Sequence, residues 1–350
     1  MTGTPSPPAI EFIGIDKRFG AVHANRDVDL VVDAGSVHGL VGENGAGKST
    51  LMSILYGFYA ADRGEIRIHG RRANIRTSAD AIRAGIGMVH QQFMLVETMS
   101  VLENVLLGAE GSTRLAPAET RALAVLARLA EDYDLAIDPQ ATVADLSVGE
   151  QQRVEILKTL FRGAEILILD EPTAVLTPAE AAHLFRILRR LASEGKTVLL
   201  ITHKLKEIMA VTDRVSVMRA GEIVADFRTA ETSIERLAQA MVGRRVLLEV
   251  EKGPSVPGAV ELSVEGLVVT DRRGLKVVDG VDLEVRAGEI VGIAGVAGNG
   301  QTELIETIAG IRAPTAGRIR FGTTEVGGCD PEEIRAAGGE AIANGASVTD

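Results

Sequence analysis

The chain has 350 residues, 46% of them hydrophobic and 24% charged, with a formal net charge of −11. This is the composition of an ordinary globular protein able to bury a core, and the length is long for one domain but short for two large ones. No run of about eighteen apolar residues exists to span a bilayer, the acidic balance argues against a nucleic-acid partner or attachment to anionic lipid, and a lone Cys329 excludes a disulfide scaffold.

Met1 to Pro8 is rich in Thr, Pro and Ser, with no basic start or apolar segment. Residues 1–9 are therefore read as a flexible tail rather than an export signal. Ile10 to Phe19 alternates apolar and polar residues, which predicts an edge strand. Phe19 stands out in a sequence with 3% aromatics and no Trp. Placed shortly before a glycine loop, it could stack on an adenine or be a core or turn residue, and spacing alone leaves both open.

Gly42-Glu43-Asn44-Gly45-Ala46-Gly47-Lys48-Ser49-Thr50 follows the apolar run Val37 to Val41 and precedes Leu51 to Leu55, which has neither Gly nor Pro. Strand, glycine loop, helix is the context of a phosphate-binding loop. The glycines let successive N–H groups turn inward, and a helix opening at Lys48 adds the positive end of its dipole. Lys48 would reach the outer phosphates of a nucleoside triphosphate, and the Ser49 hydroxyl would ligate Mg²⁺. A glycine turn before an ordinary helix is the alternative, and the Lys-Ser pair and both flanks argue against it.

Gly64 to Gly70 reads as a short strand ending in a turn, Ala79 to Ala84 as a short helix, and Gly85 to Val89 as a buried strand. Gln91 then sits where strand meets loop, a position for a side-chain carbonyl on a metal or its water, although a lone Gln is usually a surface residue. Residues 93–160 lack a strand pattern and carry helical apolar spacing from Thr120 to Leu135, so they are expected to form a helical lobe set apart from the sheet. Within it, Leu146-Ser147-Val148-Gly149-Glu150-Gln151-Gln152-Arg153 can be a second anion-binding helix start or an ordinary capping box of Ser147 with Glu150.

Ile166-Leu167-Ile168-Leu169-Asp170-Glu171 is a continuous apolar run closed by two carboxylates. It predicts a central parallel strand buried on both faces, whose carboxyl end is where ligands bind. Asp170 would hold the metal and its water, and Glu171 would act as general base on an attacking water. Pro178 opens a helix with Leu184, Ile187, Leu188 and Leu191 on one face and Gly195 closing it. Thr197 to His203 is a second buried strand, whose terminal His could contact a γ-phosphate and position Glu171. Val215 to Met218 and Glu222 to Asp226 form a hairpin around Ala220-Gly221.

In this order, Gly42 to Thr50, Gln91, Leu146 to Arg153, Leu169 to Thr173 and His203 resemble the motifs of ABC-type ATPase cassettes. Met88-Val89-His90-Gln91, Asp170 to Pro178 and Thr202-His203-Lys204-Leu205 narrow the resemblance to the ATP-binding subunits of bacterial nucleoside and simple-sugar importers. It implies an α/β fold of P-loop type, with a parallel core sheet, an antiparallel β edge and a helical lobe. It also implies ATP and Mg²⁺ as ligands, Phe19 stacked on adenine, and Ser147 and Gly149 closing over ATP held by an opposing cassette. Lys48, Glu171 and His203 would be catalytic, with Ser49, Gln91 and Asp170 around the metal. Such subunits work at the cytoplasmic face of the cell membrane, held by integral-membrane permease subunits supplied by a solute-binding protein. Where many cassettes carry Ser-Ala-Leu-Asp, this chain has Ala174-Val175-Leu176-Thr177, so no carboxylate stands there to cross the interface.

Beyond a linker at residues 249–258, Val281-Asp282-Leu283, Gly295, Gly298, Gly300, Gly310 and Gly317 repeat Val28-Asp29-Leu30, Gly42, Gly45, Gly47, Gly57 and Gly64 at a constant offset of 253. The first cassette is thus read as residues 10–248. Residues 259–350 are read as a truncated or out-of-frame second cassette, poorly packed at its end, because a second Leu-Ser-x-Gly segment would fall at about position 400. Gln301 replaces the loop lysine, so weak or no hydrolysis is expected there. The first site would then need a second cassette or a homodimer partner to supply its Ser-Gly helix.

Overall fold

The structure, a computed structural model, describes residues 7–91, 93–108, 115–244, 256–271, 274–295 and 299–339. The chain divides into two compact units, Met1–Leu248 and Glu249–Asp350.

In the first unit the strands are β1 (Ile10–Phe19), β2 (Val22–Val32), β3 (Val37–Val41), β4 (Arg63–Ile68), β5 (Arg71–Ala73), β6 (Ile86–Val89), β7 (Ile166–Asp170), β8 (Thr197–Ile201), β9 (Arg214–Arg219) and β10 (Glu222–Arg228). Its helices are α1 (Lys48–Leu55), α2 (Ser78–Arg83), α3 (Val101–Leu106), α4 (Leu115–Tyr133), α5 (Val148–Phe161), α6 (Pro178–Ser193), α7 (Leu205–Val211) and α8 (Ile234–Val242). Six strands form a sheet of order β10-β9-β3-β8-β7-β6. All neighbours in it are parallel except the β9–β10 hairpin. A second, antiparallel sheet has the order β2-β1-β4-β5.

The parallel strands are apolar without interruption because both faces are covered. Leu167 and Leu169 of β7, with Val198 and Leu200 of β8, enter a core built with the outer helices. Their neighbours Ile166, Ile168, Leu199 and Ile201 enter a second core shared with α1 and the antiparallel sheet. The chosen face of α6, Leu184, Ile187, Leu188 and Leu191, is buried.

Two expectations are corrected. β1 is an interior strand, paired with β2 on one side and β4 on the other; alternation reports which face is buried and carries no information about position in the ladder. The helical lobe is not set apart from the sheet, because Leu102, Val105, Leu126, Ile156 and Leu157 belong to the same core as β7 and β8.

The second unit holds β11 (Val260–Thr270), β12 (Lys276–Arg286), α9 (Gln301–Ile308), β13 (Ala316–Phe321), β14 (Thr324–Glu325) and α10 (Pro331–Ala336). Its sheet order, β12-β11-β13-β14, repeats the antiparallel sheet of the first unit. The repeat extends to local devices. The Asp29 carboxylate accepts from Gly14 N at 2.8 Å, and Asp282 accepts from Gly266 N at 2.6 Å. Thr77 and Asp80 form a capping box at α2, as Asp330 and Glu333 do at α10. The duplication breaks at Ile290, the counterpart of Val37: it is 86% exposed against 1%. β3 is buried between β8 and β9, and the described residues of the second unit hold no counterpart of either. The proposed linker residues 249–255 and the terminal stretch 340–350 lie outside the described residues.

Candidate functional site

The glycine loop joins the carboxyl end of β3 to α1. Its last residue, Gly47, caps the helix with φ +103°. A Cβ there would stand 2.2 Å from the Ala24 carbonyl oxygen, so only glycine lets the loop lie against β2. The Lys48 side chain curls back under the loop: Nζ donates to the Gly42 and Glu43 carbonyls at 2.8 and 3.0 Å. Burial pushes its ammonium below the ordinary lysine value, while the Glu171 and Asp170 carboxylates pull the other way.

Those carboxylates arrive from β7. Burial raises the Asp170 carboxyl above its usual range, and the charge of Glu171 adds to this; a hydrogen bond with the Ser49 side chain and the nearby Lys48 oppose it. Glu171 sits where the strand turns, in the left-handed region at φ +45°, with its N–H donating to Ile201 O at 2.9 Å. His203, just past β8, places Nδ1 2.8 Å from Glu171 Oε1, so an Nδ1–H holds the carboxylate in one orientation.

Asp170 and Glu171 line one cleft of about 730 Å³ together with Asn44 to Thr50, Phe19, Gln91, His23, Arg26 and Ala220, whereas His203 does not line it and reaches it only through Glu171. Lys48, Ser49, Gln91, Asp170 and Glu171, far apart in sequence, therefore face a common space. Phe19 is not a core residue: it is 42% exposed and meets Tyr59 edge to face with ring centroids 5.1 Å apart. Gly42 and Glu43 lie behind the loop, offering carbonyls to Lys48. Ser147 and Gly149 do not line the cleft. They start α5, where Ser147 Oγ donates to Glu150 Oε2 at 2.8 Å and accepts from Glu150 N at 3.3 Å, the geometry of a capping box.

The donor set at the cleft suits a hard divalent cation. A hydroxyl (Ser49), a carboxylate (Asp170) and an amide oxygen (Gln91) border the same space. Magnesium is bound in this way, by one or two carboxylates plus phosphate oxygens. Among the described residues no cluster of three or more acidic, His or Cys side chains could form an all-protein cage.

Sequence reasoning missed His23, Arg26 and Ala220, and also Tyr59, which supports Phe19. The first two belong to β2, a strand whose apolar pattern is weak; His23 is held by Asp16 and Arg18, each at 2.9 Å. The counterpart loop in the second unit also opens its helix from a left-handed glycine, Gly300 at φ +93°. There the Gln301 amide rests on Gly295, and Gly298 lies outside the described residues.

The family model described as ABC transporter matches residues 25–174 and 278–341, more than half of the chain. The guanosine import ATP-binding protein NupO of Bacillus subtilis is 48% identical over 94% of this chain and 64% of its own length. The nucleoside import ATP-binding protein NupA of Lactococcus lactis is 46% identical over 93% and 64%. This chain thus spans less than two thirds of those relatives. Among solved structures, an ATP-binding cassette of an ABC transporter in its ADP conformation aligns with TM-score 0.60 and 26% identity, over 68% of this chain and 99% of that one.

Proposed function

Because this chain belongs to the ABC transporter family, on its ATP-binding side, we propose that it binds and hydrolyses ATP to energise an importer of nucleosides or simple sugars. The observation that carries this reading is the shared cleft of Lys48, Asp170 and Glu171, with His203 bonded to Glu171.

The loop N–H groups and Lys48 would hold the phosphates of ATP, and Phe19 would stack on its adenine. Ser49, Asp170 and Gln91 would hold magnesium, which when bound neutralises charge on the phosphates. Glu171, with one oxygen fixed by His203, is oriented to take a proton from the attacking water. Ser147 and Gly149, lying away from this cleft, would serve ATP on a second cassette, either another ABC domain or a second copy of this chain.

Coupling to transport would be through separate permease subunits, as the import ATP-binding relatives suggest, with a solute-binding protein delivering cargo; no described helix is long and apolar enough to cross a membrane. Attachment would then be peripheral, on the cytoplasmic face. The surface we assign to the permease is Phe93 to Asn104, of which Met94 and Asn104 wall a cavity of about 390 Å³ with Tyr56, His90 and Glu155.

Steady-state phosphate release tests the reading. Glu171→Gln is expected to slow turnover by about 10²-fold or more while ATP binding is retained. Turnover unchanged by the substitution would refute the assignment of Glu171. No turnover even at high protein concentration would favour a nucleotide-binding fragment without productive hydrolysis.

A further inference from the structure

Two loops carry the reactive pair: one follows β7 and holds Glu171, the other follows β8 and holds His203. A second set of contacts ties the same loops together. Thr173, two residues after Glu171 and only 3% exposed, donates its hydroxyl to the Glu207 carboxylate, with Oγ1 at 2.6 and 2.7 Å from the two oxygens. Lys204, next to His203, donates Nζ to Thr173 O at 3.0 Å and lies 3.3 Å from Glu207 Oε1. Its backbone N–H donates to Thr202 Oγ1 at 3.0 Å.

Glu207 stands in the first turn of α7, where a carboxylate ordinarily faces the free N–H groups of its own helix. Here both of its oxygens also accept from a buried threonine on the other loop. The segment it holds is strained, since Glu171 keeps a left-handed backbone without being glycine. Such a conformation persists only where its surroundings over-determine it. The contacts of Glu207 with Thr173 and Lys204 provide that constraint beside the Glu171–His203 bond.

We propose that Glu207 is a positioning residue, clamping the loop after β7 to the loop after β8 so that Glu171 and His203 stay within hydrogen-bond distance. This rests on the ATPase reading above. Glu207 does not line the cleft, so its removal acts on turnover rather than on nucleotide binding.

The test is Mg-ATP turnover by the full chain, with nucleotide affinity measured separately. Glu207→Ala should lower kcat about ten- to hundred-fold, the scale of a displacement near 1 Å, with affinity within about threefold. Glu207→Gln and Thr173→Ser, which keep the acceptor and the donor, should stay near the unsubstituted rate, while Thr173→Val should follow Glu207→Ala. In a His203→Ala background, Glu207→Ala should cost little more, because both act through one bond. Unchanged kcat in Glu207→Ala, or a full additional loss in the His203→Ala background, would overturn the clamp and leave the ATPase reading standing. If Glu207→Ala fails to fold, the Thr173→Val and Thr173→Ser pair decides: equal rates in the two overturn it. Absence of turnover by the unsubstituted chain would overturn both readings.

Discussion

Acidification should destabilise this protein through one buried histidine. His38 on β3 is 0% exposed, and its Nε2 lies 2.8 Å from Ser216 Oγ on β9. Ser216 donates its own hydroxyl to Asp226 Oδ2 at 2.7 Å, so it must accept from His38. This fixes the Nε2–H tautomer, with Nδ1 turned into the core and without a partner among the described residues. Protonation would put an unpaired N–H⁺ there. Burial accordingly pushes the imidazole down from 6.5 to about 4; Arg214 acts in the same direction, and Asp226, Asp33 and Asp213 oppose it. Between these values the unfolded chain binds a proton that the folded chain refuses. The stability of the neutral core is therefore fully present above pH 6.5 and is lost as pH falls toward 4. At about 1.36 kcal/mol per pH unit, the loss is on the order of 3 kcal/mol. Urea unfolding from pH 8 to pH 4 should show this decline, and His38→Asn, which cannot titrate, should lack that part of the slope. The same pH slope in both proteins would refute the assignment.

Two further outcomes bear on the cleft. Gly47→Ala forces a side chain into left-handed backbone and onto the Ala24 carbonyl; it should cost on the order of 1–3 kcal/mol, seen as a lower melting temperature together with weakened ATP binding. Phe19→Ala should weaken adenine nucleotides by at least about fivefold, the lower end of the roughly 1–3 kcal/mol of a single base-stacking contact, while leaving affinity for inorganic triphosphate unchanged; competition titrations with the two ligands distinguish the effects.

Legibility in the sequence followed burial. β7 and β8 could be read because both faces are covered, which leaves an uninterrupted apolar run that allows few other readings. β2 could not: its first half, Val22 to Asp27, is mostly polar, and left-handed Asp27 breaks the alternation just where its pairing with β1 shifts register. β5 has only three residues, too few for any period. The glycine loop before α1 and the acidic end of β7 were readable as local strings. The pairing of Glu171 with His203 could be suspected from two strand ends, but the clamp at Glu207 had no signal, since an acid in a first helical turn looks like an ordinary dipole partner. The fold class followed from the order of motifs. The way α3 to α5 share a core with the sheet did not, because helical periodicity shows that a face is buried without showing against what.

The most direct measurement is a calorimetric titration of Mg-ATP into the unsubstituted chain and into Lys48→Ala. Lys48 stands at the cleft with Asp170 and Glu171, and charged hydrogen bonds are worth about 1.5–3 kcal/mol each. The substitution should therefore weaken binding by at least about tenfold. Equal affinity in the two proteins would contradict a triphosphate held at this loop, and with it the function assigned to the cleft.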